Sequence, residues 1–173
     1  MSYVRCLRGT ASGVAYPFEQ AMNLDPADGR PVQMELDLDR LKAELPDQRW
    51  YQPRRPDLWR FGALLGLDIH NPIDAASIVP RGEGYTPEWV YPHPLAEQAG
   101  WQLWIKDEGE PHPGWGANPT RSFKDRGMAM VVAMARHLKI GALAVPTQGN
   151  AGDSLAWYGL EAGLKVAVAM PDD

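Results

Sequence analysis

The chain has 173 residues, of which 45% are hydrophobic and 23% charged, and its formal net charge is -5. These values suit one globular domain or a piece of a larger protein, and an acidic balance without a dense basic run argues against a nucleic-acid partner. The single cysteine, Cys6, excludes an internal disulfide and a thiolate zinc site, and fits a reducing cytosol.

The start, MSYVRCLRGTASG, lacks the apolar core of a signal peptide. The longest apolar run, MAMVVAMA, is too short to span a bilayer, so no membrane partner is expected. Most of the 16 prolines and seven tryptophans precede Asn118, so the first two-thirds should be irregular and rich in aromatic packing. LDLDRLKAEL places Leu38, Leu41 and Leu45 on one helical face, stopped by Pro46. RPDLWRFGALLG predicts a helix from Pro56 that buries Leu58, Phe61, Leu64 and Leu65, with Gly66 as its cap. SIVPRGEGYTPEWVYPHP reads as loop with short extended pieces. WQLWIKDEG reads as a strand from Trp101 to Lys106.

The second half is more regular. Ser122 to Leu138 predicts a helix ending at Gly141, Ala142 to Val145 a strand, Gly152 to Ala162 a helix closed by Gly163, and Leu164 to Met170 a strand. Helices alternating with continuously apolar strands indicate a buried parallel sheet. Met128, Met130, Val131, Val132 and Met134 make the first of these helices apolar nearly all round, so it should pack between layers. The chain stops at MPDD, directly after a strand where a doubly wound fold continues with a helix. It therefore reads as truncated or as one piece of a longer protein, with a small complete α/β domain as the alternative.

NPTRSFKDRG puts two cations at the start of that helix. Ser122 with Asp125 resembles a capping box, which sets Lys124 in the first turn. The positive end of the helix dipole disfavours a cation there by about 0.3–1 kcal/mol, and Arg126 adds to the effect. Both favour a neutral amine, the form needed for Schiff-base chemistry. On helix physics alone, a lysine that simply reaches to solvent is the better account. The long connection from Asp107 to Arg121, rich in Pro, Gly and His, is expected to border a cleft.

VPTQGNAGDSLA links a strand to a helix through small residues that let a ligand approach the backbone and its amides. It matches neither the dinucleotide nor the Walker pattern, and an ordinary turn capped by Asp153 or Ser154 explains it equally well. Ligands of open parallel sheets bind at the carboxyl ends of strands, so the Lys124 turn and the Gly149 loop should face one edge.

At these residues the chain resembles a known family. NPTRSFKDRG followed by VPTQGNAGDSLA looks like threonine synthase, a fold-type II enzyme that uses pyridoxal 5'-phosphate (PLP). The family motif N-P-T-G-S-F-K-D-R-G agrees at nine of ten positions, and DLWRF, GEGYTP and IKDEG resemble family segments in the same order, so the resemblance runs from about Arg30 to the end. It implies part of a fold-type II α/β enzyme: an irregular and helical N-terminal region over 1–85, then an incomplete PLP-binding domain with an open parallel sheet over 86–173. It implies that Lys124 carries the cofactor covalently and then moves protons. Asn150 would hydrogen-bond the cofactor's 3'-oxygen, and Phe123 would pack the core beneath the cofactor. Thr147, Gln148, Gly149 and Ala151 would shape the pocket for an amino-acid substrate's carboxylate. The implied reaction replaces the phosphate of O-phosphohomoserine with water, giving threonine. Alternatives are a fold-type II enzyme for another amino acid, a non-catalytic remnant, or a module that binds a phosphorylated metabolite.

Three departures from the family pattern border the expected cleft: Arg121 at a motif glycine, Tyr85 at a glycine of G-E-G-G-T-P, and an apparent insertion over Pro111 to Ala117. Arg121 would either bind a substrate anion or block the site. In the family, the glycine-rich loop for the cofactor phosphate and the group facing the pyridine nitrogen come later in the sequence. The chain alone is therefore expected to bind PLP poorly and to turn over nothing; a homodimer or a missing C-terminal part are the expected macromolecular partners. The four histidines show no ligand spacing, so no metal is expected. Tryptophans 50, 59, 89, 101, 104, 115 and 157 read as core or interface, with Trp115 a mobile cleft residue.

Overall fold

The computed structural model of the chain describes residues 3–45 and 51–172. Strands β1 (Val4–Gly9), β2 (Ala15–Tyr16) and β3 (Val32–Leu36) form an antiparallel sheet in the order β2-β1-β3. The sequence reading left these strands within an irregular region. Charged residues interrupt their alternation, and what pins them is long-range. Asp25, 1% exposed, accepts from the Ser12 and Tyr16 hydroxyls and from the Ala27 amide at 2.8 Å. Helix α1 (Leu38–Glu44) starts on Asp37, whose side chain accepts from Arg40 N. It buries Leu41 alone and leaves Leu38 60% exposed, so the expected three-leucine face is not formed. Pro46, expected to stop this helix, lies outside the described residues, as does Trp50.

The helix expected after Pro56 is a 3-10 helix, Leu58–Leu64, capped by Asp57. Winding at three residues per turn changes which side chains face inward. Trp59 is fully buried and Gly62 is buried, whereas Leu58, Phe61, Leu64 and Leu65 are half-buried. Helices α2 (Pro72–Ser77) and α3 (Pro94–Ala99) were not expected. Each begins on proline behind a capping side chain, Asn71 and His93, an arrangement that suits the first helical position. Strands β4 (Glu88–Tyr91) and β5 (Leu103–Lys106) pair antiparallel, with Val90 opposite Trp104. The strand expected over 101–106 thus belongs to a separate two-stranded antiparallel sheet, with α3 between its strands, rather than to the parallel sheet.

Helix α4 (Lys124–His137), strand β6 (Ala142–Pro146), helix α5 (Asn150–Glu161) and strand β7 (Lys165–Ala169) follow the expected order, and β6 pairs parallel to β7. The chain leaves α4 through a left-handed Lys139 at φ 58°, ahead of the glycine expected to end it. Helix α4 is central: Ala129 and Val132 pack with Leu155 and Tyr158 of α5, while Ala133 packs with Trp59, Leu67 and Ile78. Full burial of a side chain such as Val132 or Leu155 stabilises the fold by about 1.5–3 kcal/mol. Val131 is 44% exposed, so α4 is not covered all round. Helix α5 lies flush on the strands because Gly152 and Gly159 have no side chain; a Cβ would meet Val168 at 2.8 Å and Val166 at 2.3 Å. No described helix is long and apolar enough to cross a membrane.

Candidate active site

Lys124 opens α4 and is exposed. The expected capping box is not the one formed. The Ser122 hydroxyl accepts from Lys124 N at 3.2 Å, but Asp125 reaches further back, to the amide (2.8 Å) and hydroxyl (2.6 Å) of Thr120. Asp125 also accepts from Ser154 Oγ of α5 at 2.5 Å, and both residues are fully buried. This bond joins the first turn of α4 to α5. The single sheet edge expected for the Lys124 turn and the Gly149 loop is not formed, because β5 belongs to a different sheet from β6 and β7.

Behind the lysine lies a network that spacing did not reveal. Asn118, 2% exposed, accepts from Gly84 N at 3.0 Å and donates to Glu108 O (2.9 Å) and Glu108 Oε2 (2.8 Å). Arg126 grips both oxygens of Glu108, each at 2.7 Å, and reaches Thr86 Oγ1 at 3.2 Å. Arg60 donates to Gly84 O at 2.8 Å, and Lys106 Nζ to Thr86 O at 2.8 Å. DLWRF, GEGYTP, IKDEG and NPTRSFKDRG thus meet in one partly buried cluster. Burial pushes the Glu108 carboxyl up, but hydrogen bonds from Arg126 and Asn118 outweigh it and hold the group below its ordinary value. Glu83, fully buried and accepting from the Tyr158 hydroxyl at 3.1 Å, has no ion pair among the described residues, and burial raises it.

The residues expected to bind cofactor and substrate divide into two groups. Thr147, Gln148, Gly149, Asn150 and Ala151 form the loop after β6 and the first turn of α5, and Asn150 is exposed. Thr147 N donates to Ala169 O at 2.9 Å, and its hydroxyl accepts from Gly149 N at 3.2 Å. With Pro146, Gln148, Ala169, Met170 and Pro171, Thr147 lines a cleft of about 470 Å³ at the carboxyl ends of β6 and β7. Helix α5 starts two residues earlier than expected. Its cap is Gly149, with no side-chain cap from Asp153 or Ser154, and space above Gly149 is open. The second group is Arg121, Phe123 and Lys124. Phe123 is 57% exposed and does not pack the core as expected; Lys124 Nζ sits over its ring at 4.8 Å. An exposed cation–π contact is worth about 0.5–1 kcal/mol, the size of the dipole penalty and opposite in sign. Among the described residues, no hydrogen bond or ion pair joins Lys124 directly to Asn150; the link runs through Asp125 and Ser154.

The departures now have structural reasons. Arg121 has φ 60°, a left-handed conformation that glycine adopts without cost, which explains the glycine of the family motif. Its guanidinium pairs with Glu110 at 3.0 Å, both side chains being more than 60% exposed. Such a pair contributes little. Arg121→Gly is expected to raise stability by about 0.5–1 kcal/mol in urea denaturation, the relief of left-handed strain exceeding the extra freedom of the unfolded chain. An unchanged or lower midpoint would count against this strain. Tyr85 packs its ring, tilted, against Trp115 of the insertion, with centroids 5.2 Å apart, and the Arg60 guanidinium lies over the Tyr85 ring at 5.2 Å. Two of the three departures therefore form one contact. Trp115 is 48% exposed, as are Trp101 and Trp104 at 50% and 55%, so Trp59 alone of these four is core.

The insertion is tied down at its start. Asp107 accepts from the Glu110 and Gly109 amides and pairs with His112 Nε2 at 2.8 Å. The Glu110 amide first, then His112 and the Gly109 amide, hold the Asp107 carboxyl down at about 2, from an ordinary 3.8. A lowered carboxyl contributes stability that is complete above the unfolded value and is lost as pH falls through the folded one. Asp107→Asn is expected to flatten the fall in stability between pH 4 and pH 2, read by thermal melts; an identical slope in both proteins would refute the assignment.

Comparison with known proteins adds the family context. The model of a family described as pyridoxal-phosphate dependent enzyme matches residues 79–173. A threonine synthase of Methanosarcina acetivorans is 33% identical over 139 residues, 80% of this chain and 28% of the relative. A threonine synthase of Methanocaldococcus jannaschii is 30% identical over 144 residues, 83% of this chain and 32% of the relative. One from Halalkalibacterium halodurans is 38% identical over 115 residues, 66% of this chain and 30% of the relative. The chain spans about a third of the length of these curated relatives. No solved structure matches it significantly. The donor set present fits PLP: an exposed primary amine at Lys124, an exposed amide side chain at Asn150, and an α5 N-terminus without a side-chain cap beside open space.

Proposed function

The chain belongs to the pyridoxal-phosphate dependent enzymes, and on that premise we propose that it carries the lysine-bearing part of a threonine synthase-type site acting in the cytosol. The observation that supports this most is the partly buried cluster joining Gly84, Thr86, Glu108, Asn118 and Arg126, because with Arg60 it unites DLWRF, GEGYTP, IKDEG and NPTRSFKDRG at the helix that Lys124 opens. PLP, when bound, supplies the electron sink for bond cleavage at the substrate's α-carbon. Lys124 would hold the cofactor through its amine and would move protons at Nζ. Asn150 orients the ring by hydrogen bonding to its 3'-oxygen. Thr147, Gln148, Gly149 and Ala151 receive the substrate carboxylate near the α5 amides, and Arg121 offers a cation to a second substrate anion. The domain that performs this begins at about residue 86, after an N-terminal region that supports it.

The reaction is the exchange of phosphate for water on O-phosphohomoserine. Since the chain covers about a third of its relatives, we propose that it needs the remaining portion to turn over. With PLP and O-phosphohomoserine, the 173-residue chain is expected to release no phosphate above the Lys124→Ala background. Supplementing it with the C-terminal two-thirds of a relative is expected to give Lys124-dependent release. Turnover by the chain alone, or none with the supplement, would contradict this reading. The Tyr85–Trp115 contact favours a second reading, a related enzyme for a different amino acid, because a bulky pair replaces glycine beside the cluster. Release of phosphate from O-phosphohomoserine decides between the two.

A further inference from the structure

We propose that Asp125 is a positioning residue that fixes the Lys124 turn of α4 against the Asn150 turn of α5. The inference rests on the reading that these two turns hold the cofactor. Asp125 is fully buried and accepts three hydrogen bonds, from Thr120 N (2.8 Å), Thr120 Oγ1 (2.6 Å) and Ser154 Oγ (2.5 Å). Two of these brace the segment immediately before Lys124. The third crosses to α5. Ser154 is four residues beyond Asn150, so the two lie on the same face of α5, one turn apart. Lys124 is the immediate neighbour of Asp125 in α4. The crossing bond therefore lies one residue from the amine on one side and one helical turn from Asn150 on the other.

The apolar contacts between the helices do not do the same thing. Ala129, Val132, Leu155 and Tyr158 hold α4 and α5 together by packing alone, and the Tyr158 hydroxyl ties α5 to Glu83 rather than to α4. Sliding α5 by a single residue moves Ser154 by about 1.5 Å and breaks its 2.5 Å bond to Asp125. A carboxylate in the first turn of α4 also complements the positive dipole end of that helix. Asp125 thus sets the axial level of Asn150 relative to Lys124, while touching neither cofactor nor substrate.

The test uses the 173-residue chain and its Ser154→Ala, Ser154→Thr and Asp125→Asn variants, with residue-level amide hydrogen exchange. In Ser154→Ala, the amides from Gly152 to Leu155 are expected to exchange about tenfold faster, with Tyr158 to Glu161 unchanged. Asp125→Asn should add faster exchange from Thr120 to Phe123. Ser154→Thr, which keeps the hydroxyl, should behave as wild type. Borohydride trapping of PLP on Lys124 is expected to fall at least threefold in Ser154→Ala and to recover in Ser154→Thr. Unchanged exchange at Gly152 to Leu155 overturns the proposal. So does a uniform acceleration along all of α5, which marks a general loss of stability. If wild type takes no label on Lys124, the cofactor reading fails, and the exchange pattern alone decides whether Asp125 couples the two turns.

Discussion

Lys124→Ala is expected to abolish covalent capture of PLP and to leave the folded chain intact. The side chain is exposed, and among the described residues its one recorded contact is the Phe123 ring. Surface substitutions of this kind shift stability by no more than about 0.5 kcal/mol. The visible absorbance of lysine-bound PLP should vanish in Lys124→Ala and equally in Lys124→Arg, which keeps the charge but not the primary amine. The urea midpoint should stay at the wild-type value in both. A midpoint drop that accompanied the loss would mean that Lys124 supports the fold. Retained absorbance would mean that another lysine carries the cofactor.

Asn118→Ala is expected to have the largest effect on stability of any single change in the cluster. It removes the acceptor for the buried Gly84 amide and two donors to Glu108. An unsatisfied buried group costs about 1–3 kcal/mol, and at least two such groups are left, so a loss of about 2–4 kcal/mol follows. Asn118→Asp is the sharper control. It keeps an acceptor for Gly84 but sets a second carboxyl against Glu108, so it should be more harmful at pH 7 than at pH 4. Equal effects of Asn118→Asp at both pH values, or a loss below about 1 kcal/mol in Asn118→Ala, would show that the cluster does not bind the motif segments together.

The second half of the fold was legible because its signals are local. The runs in β6 and β7 are apolar but for Lys165, Gly163 follows α5, and α4 is long enough to declare its period; the sheet is nevertheless not buried as expected, since alternate residues of both strands are exposed. The N-terminal sheet was not legible. Its register depends on contacts such as Asp25 with Ser12 and Tyr16, and no spacing rule reports those. The 3-10 helix failed for a related reason: an apolar pattern read at 3.6 residues per turn assigns Leu58 and Phe61 inward, whereas the tighter winding buries Trp59.

At the site, Lys124 and the Gly149 loop stood out through position and composition. Asp125, Glu108, Asn118 and Arg126 did not, because their partners lie 5 to 40 residues away. The family segments contained each of them, so they were visible as motif letters without a physical role. Arg121 shows the reverse. It was an unexplained departure in the sequence, and its left-handed backbone explains the motif glycine directly.

The central claim is that Lys124 is the residue through which this chain holds PLP. Incubation of the 173-residue chain with PLP, reduction with borohydride and peptide mapping tests it most directly, with the C-terminal part of a relative supplied in a parallel sample. The account predicts the reduced adduct on the peptide containing Lys124, in preference to Lys42, Lys106, Lys139 and Lys165. Label spread evenly over those lysines, or none on Lys124 in either sample, would contradict it.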